Sequence, residues 1–144
     1  MKSLRRKGGF TLVEIMIVVA IIALLAAIAI PNFMRMRINA NETAAIANLK
    51  AISTAEEAYR AAQNPPTYGD FDALSGADPS YLDSTWTGAS VDRQGYTYSF
   101  TVAPAAGAFE VTTAPTTDKV TGVRTFSVSQ EGVVMDETNA APIQ

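Results

Sequence analysis

The sequence predicts an α+β fold in which a long N-terminal helix, membrane-spanning in its first half, packs on a C-terminal four-stranded antiparallel meander sheet. Three features carry that prediction. The run from Phe10 to Ile30 is apolar but for Thr11 and Glu14. An Ala-rich amphipathic stretch follows and stops at Asn64-Pro65-Pro66. The last third alternates apolar and polar residues between turn signals.

The first element, residues 10–30, is long enough to cross a bilayer. Its 21 residues in a helix reach about 30 Å, the thickness of the hydrocarbon core. Of the 11 Lys and Arg, four lie in the first nine residues, so seven face 14 acidic residues beyond Gly9 and the side chains there sum to −7. The positive-inside rule then places the N-terminus in the cytoplasm and the rest outside. An acidic balance of this size argues against a nucleic-acid partner. Glu14 is the anomaly, because a carboxylate in a spanning segment is strongly disfavoured unless something pairs with it.

Pro31 closes the apolar run. It cannot donate to the carbonyl of Ala27 and its ring crowds that turn, so a kink or local loss of helix is expected there. The second element, residues 31–63, resumes as a helix. Ile38, Ala45, Leu49, Ile52, Ala55 and Tyr59 recur at helical spacing, and Arg35, Arg37, Glu42, Lys50, Glu57 and Arg60 are assigned mostly to the other faces.

Residues 64–93 read as a connecting loop, with short helical turns expected at Asp70–Leu74 and Pro79–Leu82. Asp70, Asp72, Asp78 and Asp83 lack the spacing of a calcium loop and are read as solvated acids. Residues 94–144 hold the sheet and a loose tail from Asn139. Tyr96, Tyr98, Phe100 and Val102 share one strand face; Phe109 and Val111, Phe126 and Val128, and Val133 and Met135 supply the others. One face covers the stripe of Leu49, Ile52 and Tyr59.

Chemistry is scarce. The chain has no Cys and no His, so thiol reactions and the usual zinc, copper and haem ligand sets are out of reach and no cofactor is expected. Ser127 and Ser129 beside Glu131 have no base of suitable kind. Glu56 and Glu57 are adjacent on a helix and so point in different directions. A glycosidase-type carboxylate pair would need a cleft that a small sheet does not form. No enzyme activity is expected.

The string Lys7-Gly8-Gly9-Phe10-Thr11-Leu12-Val13-Glu14, followed by Ile15 to Ile22 and then Pro31-Asn32-Phe33, closely resembles the start of type IV pilins and of type II secretion pseudopilins. The resemblance implies a leader of residues 1–9 cut by a prepilin peptidase between Gly9 and Phe10, and N-methylation of Phe10. A Gly before the scissile bond lets a protease approach the backbone. It also implies that Glu14 pairs with the Phe10 ammonium of an adjacent subunit, setting the axial register of a helical homopolymer. Other implied partners are the pilus assembly machinery of the bacterial inner membrane and the membrane itself before assembly. Afterwards the chain lies in an extracellular filament. Many pilins have a Gly upstream of the proline that eases melting; Ala23 stands in that neighbourhood here, so melting is expected to be confined to Ala26–Pro31.

Two plainer readings stay in view. Ala27-Ile28-Ala29 has the small-x-small form of an ordinary signal cleavage site, although Glu14, the length of the apolar run and Pro31 count against it. The alternative is a single-span anchor on a binding domain, with Glu14 incidental. Within the family, a Cys-free pilus subunit and a secretion pseudopilin are both open.

Overall fold

The computed structural model describes residues 9–143, so the basic N-terminal residues and Gly8, most of the expected leader, lie outside the described residues. It comprises two compact units dividing at Arg35/Met36. The main helix, α1 (Leu12–Ala62), contributes to both.

In the first unit α1 has no core to join. Each large apolar side chain from Phe10 to Phe33 is at least half exposed, from 50% at Ile15 to 86% at Phe10. Its mean hydropathy reaches 3.0 over an 18-residue window, which suits a membrane span by length and composition. Pro31 lies inside α1, and the residues around it, Ala26–Pro31 included, are helical in the single chain.

The second unit places α1 from Ala45 to Ala55 against an antiparallel sheet. After Asn64-Pro65-Pro66 ends the helix, α2 (Phe71–Gly76) forms with Asp70 as its N-cap, the carboxylate accepting from the Ala73 N–H at 2.8 Å. The strands are β1 (Ser90–Arg93), β2 (Tyr96–Val102), β3 (Glu110–Pro115), β4 (Phe126–Ser129), β5 (Val134–Asp136) and β6 (Ala141–Pro142), in spatial order β1-β2-β3-β4-β5-β6. Strict sequence order makes this a meander, as expected, but with six strands in place of four.

The two extra strands have local causes. β1 carries a single buried apolar residue, Val91, too little pattern to predict. It forms because Gln94 and Gly95, both at positive φ (46° and 78°), make the two-residue turn that pairs Arg93 with Tyr96. β6 is two residues of the expected tail, held by pairing with β5 and by the Ile143 N–H on the Val134 carbonyl at 2.8 Å. The connecting segment therefore ends before Ser90.

Strand register corrects two further expectations, and a loop corrects a third. A shift between Phe100 and Val102 takes Val102 off the inner face, leaving it 44% exposed. On β5 the inward residues are Val134 and Asp136, one position out of phase with the expected Val133 and Met135. The turn before it, with Gly132 at φ 72° and its N–H on the Ser129 carbonyl, absorbs one residue more than alternation assumes. Pro79–Leu82 is not helical. The Tyr81 and Leu82 N–H groups instead bond the Leu74 carbonyl at 2.9 and 3.2 Å, closing the C-terminal end of α2.

The core is built from Leu49 and Ile52 of α1, Phe71 and Leu74 of α2, and Tyr96, Tyr98, Val111, Phe126, Val128 and Val134 of the sheet. Among the described glycines, Gly122 under Tyr96 leaves the least room for a side chain. A Cβ at Gly122 would sit 2.2 Å from the phenol oxygen, which donates to the Arg124 carbonyl at 2.9 Å. Gly122→Ala is expected to displace the ring and lower stability by about 1–3 kcal/mol, measured as a fall in the unfolding midpoint of the full chain in detergent.

Candidate functional site

The head of α1 brings together three of the residues singled out by sequence. Gly9 is exposed, and nothing lies within 4 Å of where its Cβ would be. Phe10 is exposed next to it. Glu14 is the third residue of α1 and is bonded within its own first turn. Its Oε2 accepts from the Thr11 backbone N–H at 2.7 Å and from the Thr11 hydroxyl at 2.8 Å, while the Glu14 N–H donates to Thr11 Oγ1 at 3.2 Å. The Thr11 carbonyl receives the first helical bond, from the Ile15 N–H at 3.4 Å.

This is a capping box: Thr11 is the N-cap, and Glu14 reaches back to it. The pattern Thr-x-x-Glu ahead of an apolar run is a sequence signature, so Thr11 was findable beside Glu14. The carboxylate that sequence alone sends in search of an outside partner is thus held in place by its own chain. Both Thr11 donors fall on Oε2. Pro31 is not brought near this head; it lies far along the same helix.

A second polar cluster, in the other unit, was not foreseen. Glu42, expected on a solvated face, is 4% exposed. Its Oε1 accepts from the Val123 and Arg124 backbone N–H groups at 3.2 and 3.3 Å, and its Oε2 takes the Arg124 guanidinium at 2.7 Å. Arg124 also reaches Asp136 at 3.3 Å and lies over the Phe126 ring, 5.1 Å from its centroid. One residue before Glu42, the Asn41 amide donates to the Thr121 carbonyl at 2.7 Å. Together these bonds fasten the β3–β4 loop to α1.

The charges respond accordingly. The bond from Glu42, aided by Asp136, pushes Arg124 further towards its charged form against the pull of burial. Burial alone would raise the Asp136 carboxyl, but the Asn139 amide and N–H, Arg124 and the Thr138 N–H together hold it below the usual range.

The loop acids are spread out. Asp70 and Asp72 border a groove of about 370 Å³ with Gly88, Phe100, Ala103 and Pro104. Asp83 instead binds Thr85 and, at 2.8 Å, Arg93; these hold its carboxyl down to about 2. Among the described residues no three His, Cys, Asp or Glu side chains gather as a metal-binding group.

Residues 4–30 match the prokaryotic N-terminal methylation motif. Over 126 residues, 81% of this chain and 96% of the other, the sequence is 32% identical to the type IV wide pilus major component PilA4 of Thermus thermophilus. It is 39% identical over 109 residues to the type IV major pilin protein PilA of Myxococcus xanthus, covering 76% of this chain but only 43% of that protein. It is 36% identical over 72 residues to the type II secretion system core protein G of Aeromonas hydrophila, about half of each chain.

Glu42→Ala is expected to leave two backbone donors and part of the Arg124 charge unpaired. With Arg124 itself partly exposed, the loss should be about 2 kcal/mol, read by denaturant unfolding. Hydrogen exchange should show the increase in opening concentrated in residues 116–125.

Proposed function

This chain belongs to the type IV pilin family, and on that premise we propose that it is a structural subunit polymerising through its N-terminal helix into a type IV pilus filament. The observation that carries the reading is the head of α1. A helix exposing apolar side chains all round has one ionisable residue among them, fixed beside the residue that becomes the new N-terminus. Cleavage between Gly9 and Phe10 by a prepilin peptidase would free an ammonium at Phe10, and methylation keeps its charge. The exposed, unobstructed backbone at Gly9 supports protease access.

The Thr11–Glu14 box gives this head its chemistry. While the subunit waits in the inner membrane, N-terminus cytoplasmic, Thr11 keeps the carboxylate hydrogen-bonded and so reduces the penalty of holding it in lipid. On docking, the Phe10 ammonium of a neighbouring subunit approaches the Glu14 carboxylate, adding a charge-assisted bond to those that Thr11 supplies. The apolar flanks exchange lipid for other helices, which gives little hydrophobic drive, so packing and the polar contact decide the register. The loss of helix expected over Ala26–Pro31 is absent from the single chain, and on this reading it would arise only on assembly. The role is structural, not catalytic.

The likeness to the secretion core protein supports a second reading, a pseudopilin of a type II secretion system. Coverage of almost the whole length of a pilus component favours the pilus.

Mass spectrometry of sheared surface material is expected to find a polypeptide beginning at methylated Phe10; one beginning at Ile30 would overturn the reading. Glu14→Val should abolish or greatly reduce fibres seen by electron microscopy while leaving the protein in the membrane. Undiminished fibres would refute the pairing.

A further inference from the structure

Glu56 is fully buried on α1, and its two carboxylate oxygens are treated unequally. Oε2 accepts from the Gly69 N–H at 3.0 Å, whereas Oε1 has no partner. No cation stands within 4.0 Å of it among the described residues. Arg60, one helical turn on, is engaged elsewhere: it lies 5.2 Å from the centroid of the Tyr68 ring and 3.9 Å from Glu57. Its Nε is the other buried side-chain atom without a partner among the described residues.

The segment resting on Glu56 is closely fitted. Gly69 lies against the Tyr59 ring, where a Cβ would come within 2.9 Å of the ring edge. Beside it the Tyr68 hydroxyl donates to Glu57 at 2.9 Å, and Asp70 caps α2. The charged and titratable groups around Glu56 are therefore Glu57 and Arg60 on its own helix, and Tyr68 and Asp70 on the segment packed against it. The two carboxylates among them oppose a negative charge at Glu56.

We propose that Glu56 is a proton-operated latch: with the carboxyl neutral the segment Tyr68–Leu74 is held down on α1, and with it ionised the segment loosens. A proton on Oε1 removes the charge and leaves Oε2 free to accept from Gly69. Ionisation leaves a buried charge with a single N–H donor and no cation within 4.0 Å among the described residues, which opening to water relieves. The neutral form is the one the docked state prefers, since burial, with Asp70 and Glu57 adding to it, outweighs the Gly69 bond that favours the charge and pushes the carboxyl up to about 7.

The sign follows from linkage. The docked carboxyl keeps its proton to about pH 7, whereas a solvated one loses it near 4.5. Docking is therefore strongest below that lower value, weakens across the interval, and stays weak above it. The latch does not rest on the filament reading, because it concerns the second unit alone.

The test is hydrogen exchange of the full chain in detergent micelles from pH 5 to 8, with protection factors corrected for intrinsic exchange. Protection over residues 67–76 is expected to fall more than tenfold between about pH 5 and about pH 7.5. Glu56→Gln should remove that step, and Glu57→Gln should keep it. Constant protection in the wild type, or a step surviving in Glu56→Gln, would overturn the latch. Should Glu56→Gln fail to fold, carbon-13 NMR of the wild-type Glu56 carboxyl decides: a midpoint near 7 supports the latch, and one near 4.5 refutes it.

Discussion

A helix with no partner inside its own chain sets the terms for the rest of the molecule. From Phe10 to Phe33 no large apolar side chain is less than half exposed, so this surface needs lipid or other copies of itself. Either surrounding is short of water, and a backbone there must satisfy its own polar groups, which a helix does everywhere except at its ends. The N-terminal end of α1 is completed by Thr11 and Glu14, which pair reciprocally over the first turn. The acid that looks like a flaw in an apolar span is also the residue that finishes the helix.

The second unit faces the opposite problem, since it buries carboxylates that water would otherwise solvate. Glu42, Glu56 and Asp136 are each at most 4% exposed and are treated in different ways. Glu42 has a guanidinium and two backbone N–H groups. Asp136 shares that guanidinium and adds three donors from Thr138 and Asn139. Glu56 has one N–H. Buried ion pairs seldom stabilise more than well-packed apolar residues would, but losing one partner is costly. The Glu42 cluster therefore specifies which loop meets α1 more than it deepens stability, whereas Glu56 is left responsive.

Much of this was legible in the residues, because apolar periodicity is a strong signal where a face is wholly buried or wholly apolar. The apolar run, the helix to within a residue of its end at Ala62, the position of β2 and the meander order all follow from it. Polar residues on buried faces are where periodicity misleads. Glu42 occupies a core position because Arg124, 82 residues away, comes to meet it, and no spacing encodes that contact. Asp136 likewise faces inward and meets Arg124, a contact that alternation along β5 does not encode. The Thr11–Glu14 box is the opposite case: its signature was present locally, though attention to the charge of Glu14 obscures its role as a cap.

The same scarcity of water would favour helix through Pro31 in a membrane. Inside a helix the proline leaves the Ala27 carbonyl without its donor and crowds the turn, at a cost of about 3 kcal/mol or more. Unwinding Ala26–Pro31 in lipid would instead release several N–H and C=O groups at once, each costing several kcal/mol with nothing to bond. In a membrane the intact helix is the lesser penalty, in keeping with the helical Ala26–Pro31 of the single chain. Loss of helix there would need neighbouring groups to receive the released donors and acceptors, which lipid does not offer. Pro31 thus lowers the difference between two backbone states without choosing between them.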